Sequence, residues 1–364
     1  MLRIALNPSR NVLITGGAGL IGANLAAHLL ATTDSRITVF DNLSRPGAEA
    51  NVAWLTTLAN AGRLTFLRGD IRSSVGVMQA ARMACEIYHL AARCAPPSGT
   101  ESQSEFDVNV TGTINVLEAA RRWGRKPLVL FASTSNVYGP LNAIALTETD
   151  ARYTPVDPEF QGVSEQATLD CQTAVGCTKR IAERYVQKYA RNYCLPTIVF
   201  RLDTTGGPRQ FPVGAAGWVG RFVDSVLADR PIAIDGDGLH VRDVLHVADL
   251  VAAMEAAQAY INVVKGKIYN IGGGMSRSIS VNEMVSLVER VCHHPAKVFY
   301  TRLNSEGRPF YVSDSSSFST DTGWMPRRTL EETVRDVAAS WYAHRLERAT
   351  RHSPKDVGSF RQAA

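Results

Sequence analysis

The chain has 364 residues, 45% of them hydrophobic and 20% charged, with a formal net charge of +5. A chain of this length buries a substantial core and points to two lobes. Its mild charge, with no dense Lys/Arg run, argues against a nucleic-acid-binding protein. Cys85, Cys94, Cys171, Cys177, Cys194 and Cys292 form no Cys-x-x-Cys pair, which fits free thiols in a reducing compartment and no metal site. Residues 1–10 lack the apolar core of a secretory signal, and no apolar run is long enough to span a membrane, so a cytoplasmic location is expected.

Residues 11–15 (NVLIT) read as a buried strand and 20–30 as the helix after it. Further strands are read at 36–40, 64–68, 86–90, 128–132 and 196–201, with helical patterns between them such as 113–122. Strands alternating with helices predict βαβ units and a mainly parallel sheet, with the loops that follow the strands gathered on one edge. Past residue 205 the pattern loosens. Gly and Pro cluster at 206–212, and helices are expected at 218–228, 247–257 and 281–291, the last capped by Ser280. The expected division is therefore 1–205 for a dinucleotide-binding domain to which some later segments return, 206–344 for a substrate lobe, and 345–364 for a fraying polar tail.

Residues 15–22 read TGGAGLIG, between the first strand and its helix. Gly16, Gly19 and Gly22 permit a tight turn and a close approach of backbone to a pyrophosphate, and the helix start at Leu20 and Ile21 offers free N–H groups. Asp41 ends the second strand 19 residues after Gly22, placed to accept from ribose hydroxyls and to repel a 2′-phosphate, which favours NAD over NADP. Asn42, Ser44 and Arg45 follow it; Arg45 is either a weak counter-signal or a solvated cation. Asp70 and Ile71 border the adenine, or Asp70 is a plain loop acid. The fold class is α/β, a Rossmann-type doubly wound parallel sheet with a smaller C-terminal α/β substrate lobe.

With these residues in hand, the chain resembles the extended short-chain dehydrogenase/reductases, and among them the CDP-paratose/CDP-tyvelose 2-epimerases. The likeness runs from about residue 11 to about residue 343. It rests on TGGAGLIG, DNLSRPGA (41–48), GDI (69–71), HLAA (89–92), NVTGTINVLEAAR (109–121) and STSNVYG (133–139). GCTK (176–179), PRQF (208–211), GWVGRF (217–222), VRDVLHVAD (241–249) and YNIGGG (269–274) extend it. It implies a redox cycle in which bound NAD oxidises a sugar hydroxyl and then returns the hydride. It also places Leu90, Ala91, Ala92 and Asn109 beside the cofactor, Asn109 with an equally good structural reading. It implies a nucleotide-sugar substrate and a homodimer formed through segments 109–122 and 175–190.

The family's chemistry needs a Tyr-x-x-x-Lys pair on one helix face plus a Ser or Thr. Here Lys179 and Thr134 match, but the tyrosine position is Val175, and none of the eleven tyrosines has a lysine four residues later. Residues 201–209 read RLDTTGGPR, with Thr204 and Gly206 where the family commonly has Asn and Tyr. Thr134-Ser135-Asn136 replaces the Thr-Asp-Glu of sugar 4,6-dehydratases, which argues against water elimination. Arg209 and Arg242 match positions that contact the substrate's diphosphate, Gln210 and Trp218 line the nucleotide pocket, and Asp243 orients Arg242. As substitute bases, Cys94, Asp203 and Lys179 are candidates; Cys94 and Asp203 have a competing structural role, and for Lys179 the resemblance implies instead that it holds the nicotinamide ribose of the cofactor. Cys177 points about 200° away from Val175 around the helix, and His89 and His246 are read as structural. Three readings stay open: a nucleotide-sugar epimerase, an enzyme of the same fold that deprotonates, eliminates or isomerises, and a non-catalytic NAD binder.

Overall fold

The computed structural model describes residues 10–59, 62–94, 102–211, 217–302 and 308–351, with side chains to residue 345. Strand–helix repeats open the chain: β1 (Asn11–Thr15), α1 (Leu20–Thr32), β2 (Arg36–Asp41), α2 (Ala48–Leu58), β3 (Leu64–Arg68), α3 (Ser74–Ala80) and β4 (Glu86–His89). Then comes a composite rod of α4 (Ser102–Phe106), one π-helical turn (Asp107–Thr111) and α5 (Gly112–Arg122). β5 (Leu128–Thr134) runs into a 3₁₀ turn (Ser135–Tyr138), and a small hairpin of β6 (Leu146–Glu148) and β7 (Tyr153–Pro155) precedes α6 (Ala174–Tyr193) and β8 (Thr197–Leu202).

The second half contains β9 (Thr204–Gly206), α7 (Trp218–Leu227), β10 (Ile232–Asp235), β11 (Val241–His246), α8 (Val247–Ala259), α9 (Ile261–Val264) and β12 (Ile268–Ile271). After these come β13 (Ser278–Ser280), α10 (Val281–Cys292), β14 (Val298–Thr301), β15 (Phe310–Tyr311), α11 (Ser316–Thr322) and α12 (Leu330–Arg351).

Seven parallel strands form the central sheet in the order β12-β8-β5-β4-β1-β2-β3. Both faces are covered at the centre, so β4 and β8 are buried along their whole length, whereas the edge strand β3 is largely exposed. On β1, Val12 and Ile14 pack with Leu25 and Leu29 of α1, while Leu13 points into the opposite layer with Ile87, Leu117 and Val129. The order reverses on either side of β1, which opens a crevice at the C-terminal ends of β1 and β4 where ligands bind in such sheets. β12 comes from the second half and covers the edge of β8. It falls largely within the YNIGGG motif, where four residues before a glycine run carry too short a pattern to mark a strand.

The second lobe has its own core, in which α7, α10 and α12 surround the parallel pair β10–β14 through Phe222, Ile232, Ile234, Met284, Val288 and Val334. Ser280 caps α10 as expected, in a reciprocal capping box with Glu283. One expectation fails: residues 345–351 continue α12 instead of fraying. The segment is rich in helix-forming Leu, Glu, Arg and Ala, with no Gly or Pro before Pro354. The remainder of the expected tail, 352–364, lies outside the described residues. No described helix is long and apolar enough to cross a membrane.

Candidate active site

The cofactor side of the crevice is built from backbone. Gly16 sits at φ +69°, and a Cβ there would lie 2.6 Å from the Ala91 nitrogen, so only glycine lets the turn after β1 run against the strand β4 exit at Leu90–Ala91. A Cβ on Gly22 would lie 2.5 Å from Gly17 Cα, so this glycine seats α1 on its own turn. Gly19 occupies the cap position without any side-chain cap, and the first intrahelical bond runs from the Ala23 N–H to its carbonyl. The N–H groups of Leu20, Ile21 and Gly22 therefore stand at the positive end of the helix dipole. Asp41 is fixed at the end of β2 by accepting from the Ala18 N–H at 3.1 Å and the Leu43 N–H at 2.8 Å. A cradle that a side chain would fill, an uncapped helix start and a carboxylate beside both fit a dinucleotide with free ribose hydroxyls.

Neighbouring candidates divide. Asp70 accepts from Arg72 Nε at 2.9 Å and Nη2 at 2.8 Å and from Asn42 Nδ2 at 3.0 Å, and the Arg72 guanidinium holds its carboxyl far below the usual range. Ser44 donates its N–H to Asn42 Oδ1 at 3.0 Å, so Asp70, Asn42 and Ser44 form one loop network. Ile71 is buried beneath Gly112 of α5. Arg45 is exposed, yet its charge bears on both Lys179 and Cys94. Leu90, Ala91 and Ala92 are half-buried at the crevice floor.

Asn109, fully buried in the π-helical turn, accepts from the Arg93 N–H at 2.9 Å and donates to Arg93 O at 2.8 Å and Thr178 Oγ1 at 3.0 Å. Its amide thus ties the loop after β4 to α6. His89 lies between Thr15 and Thr113, at 2.8 and 2.9 Å, and burial together with the Lys179 charge pushes it down to about 3.

On α6, capped by Thr173, Lys179 is only 3% exposed. Its Nζ donates to Ala132 O at 2.7 Å and stands 4.5 Å from the Phe131 ring centre. Burial pushes the ammonium down to about 7. Val175, one turn earlier, is half-buried. Thr134 ends β5, and its hydroxyl accepts from the Asn136 N–H at 3.3 Å. Cys94, in the loop after β4, is exposed, but desolvation and Glu105 push its thiol up, away from the thiolate that a base would need. Cys177 is exposed and donates to Cys171 O at 3.2 Å.

The opposite wall is built from largely buried charge. Asp203, just past β8, accepts from Ser135 Oγ and from Thr204 Oγ1 (3.2 Å), and Trp218 Nε1 donates to Thr204 at 3.1 Å. Arg308, 8% exposed, completes this wall. Its guanidinium donates to Ser135 O at 3.0 Å, Ser135 Oγ at 2.9 Å and Asn136 Oδ1 at 3.0 Å, and pairs with Asp203 at 3.5 Å. No motif singled out Arg308. Its only sequence signal is a lone arginine before the apolar FYV run. Arg242 donates to Val241 O at 2.7 Å and Arg308 O at 2.8 Å, and burial lowers it to about 10.

Two expectations are corrected here. Asp243 does not orient Arg242: strand neighbours point to opposite faces. Instead it accepts from the Gly274 N–H at 3.1 Å, and burial and then Asp203 raise it to about 7. Arg209 does not join Arg242. At φ +65° it turns its guanidinium 4.4 Å over the Trp54 ring of α2, while its N–H donates to Ser340 Oγ at 2.7 Å. Gln210 donates to Thr205 O at 3.2 Å.

Known proteins place this geometry. A CDP-paratose 2-epimerase of Salmonella typhi is 35% identical over 334 residues, 90% of this chain and 97% of that protein. A dTDP-glucose 4,6-dehydratase of Neisseria gonorrhoeae is 30% identical, over 92% of this chain and 95% of its own. Among solved structures, UDP-glucuronic acid 4-epimerase from Bacillus cereus, in complex with UDP-glucuronic acid and NAD, superposes with a TM-score of 0.78 at 25% identity, covering 92% and 99% of the two chains. The UDP-glucose 4-epimerase of Thermus thermophilus, in complex with NAD, gives 0.75 at 26% identity, covering 91% and 99%. Residues 12–272 match one family throughout, from β1 to just past β12, and the chain belongs to it: the NAD dependent epimerase/dehydratase family.

Proposed function

We propose that this protein is an NAD-dependent nucleotide-sugar epimerase of the CDP-sugar 2-epimerase type, working by transient oxidation of the sugar. The observation that carries the reading is that the dinucleotide cradle faces, across the ends of β5 and β8, a wall holding two arginines and no acid pair at Ser135-Asn136. When bound, NAD would supply reversible hydride transfer at the hydroxyl-bearing carbon of the sugar. Gly16–Gly22 hold the pyrophosphate and Asp41 takes the ribose hydroxyls. Arg242 and Arg308 attract the diphosphate of the substrate, and Trp218 and Thr204 border the nucleotide. Thr134 orients the sugar hydroxyl. With Asn136 in place of an acid, water elimination lacks its proton donor.

A second reading rests on Val175: an enzyme that deprotonates, eliminates or isomerises its sugar, with NAD retained as a structural element. To separate the two, NADH absorbance is followed when the NAD-loaded protein meets a panel of nucleotide sugars, beside V175Y. NADH and turnover from the native chain support the epimerase. NADH from V175Y alone hands the function to the second reading. We further propose a cytoplasmic homodimer joined through α5 and α6, where Ile181 and Tyr193 are exposed, with light scattering as the check.

A further inference from the structure

An oxidised hydroxyl must give up a proton as well as a hydride, and the phenol that would take it is replaced by Val175, one helical turn before Lys179. The other candidates at the crevice are spoken for. Asp203 is held by Ser135, Thr204 and Arg308, and His89 is enclosed by two threonines. The Cys94 thiol is raised.

Lys179 is different. Among the described residues its one hydrogen bond, to Ala132 O, leaves the rest of its nitrogen uncommitted, two residues before Thr134 on the same strand. Glu183 follows one turn later, but its carboxylate is occupied by Ser133 (2.6 Å), Arg180 (3.1 Å) and Arg201 (2.9 and 2.8 Å). Among the described residues no carboxylate pairs with Lys179. The charged and titratable groups facing it are Glu183 on its own helix, Arg45 after β2, His89 on β4 and Cys94 after it; β5 contributes only the Phe131 ring and the Ala132 carbonyl. Burial lowers the ammonium most and Arg45 adds to it, while Glu183 and Cys94 oppose; the balance stands at about 7.

We propose that Lys179 is the catalytic proton acceptor and donor of this chain, in place of the missing phenol. Beside a phenolate the lysine has to remain a cation. With valine at 175 that demand is gone, and the neutral amine is free to accept. The sugar O–H bond breaks and its proton forms a new N–H bond on Nζ. The oxygen's electron pair closes the carbonyl as the carbon's hydride leaves to the nicotinamide. On return the hydride adds to the other face of the carbonyl carbon, and Nζ gives its proton back to the oxygen. The inference rests on the redox function proposed above.

The test starts with cofactor-free protein, labelled with ¹⁵N at the lysine side chains, the Lys179 signal being identified by its loss in K179R. Titration near 7 is expected, moving upward in V175Y. A Lys179 that titrates near the ordinary lysine value of about 10 overturns the inference. With NAD and substrate, NADH formation in the native chain should rise through pH 7, vanish in K179R, and return in K179A when small primary amines are added. NADH formation that survives in K179R also overturns it. A low-titrating lysine in a protein that reduces no NAD with either residue at 175 refutes the redox function, and with it the step assigned here. The lysine signal and NADH formation, read together, tell these failures apart.

Discussion

The two sides of the crevice are held by opposite means. On the cofactor side, backbone meets backbone: Gly16 lies against Ala91, Gly22 against Gly17, and Asp41 holds two N–H groups. On the sugar side, side chains from distant parts of the chain meet in a buried charge network, Ser135 with Asp203 and Arg308 with both. The first arrangement tolerates no added atom; the second tolerates no missing charge.

The sharpest way to break this contrast is on the charged side. Arg308→Ala should destabilise the fold by about 3–5 kcal/mol, the usual cost of leaving half of a buried pair. Adding Asp203→Asn should recover much of it in denaturant melts. If the double variant is no better than the single one, the wall is not a charge pair in energetic terms. Next, Gly16→Ala should cost about 1–3 kcal/mol through its positive φ and the contact with Ala91, and NAD binding, followed by calorimetry, should be lost.

The sides also respond to pH with opposite sign. His89 (about 3 folded, 6.5 ordinarily) and Lys179 (about 7 against 10.5) bind fewer protons folded than unfolded, so they make stability rise with pH over about 3–6.5 and 7–10.5. Asp243 (about 7 against 3.8) binds more protons folded, so its share falls between those values. Each slope is at most about 1.4 kcal/mol per pH unit. Melting curves of D243N should lose the falling share between pH 4 and 7, and those of K179M the rising share above 7. The smallest effect is expected from Thr173→Ala: about 1 kcal/mol for the lost cap of α6, with NAD affinity unchanged.

This contrast also governs what could be read from sequence. Six strands of the central sheet, the glycine turn and Asp41 were legible because their signals are local: apolar runs, a strand–turn–helix spacing and an acid at a strand end. Arg308 was not, since Asn136 and Ser135 stand 172 and 173 residues away, Asp203 is also distant, and nothing around it repeats. Arg209 and Asp243 were assigned by motif position. Yet the direction of the Arg209 side chain depends on a left-handed backbone turn, and that of Asp243 on strand alternation. Asn109 could be read either as a cofactor contact or as a brace. Its neighbours Arg93 and Thr178 decide its hydrogen bonds, and neither is near it in sequence.

The late return of β12 has a consequence for how the protein is made. During synthesis β8 leaves the ribosome about 70 residues before its outer neighbour, so the nascent sheet carries a bare edge, available for mispairing with another chain. Truncation after residue 205 would leave that edge permanently open, and the second lobe is thereby committed to the birth of the first.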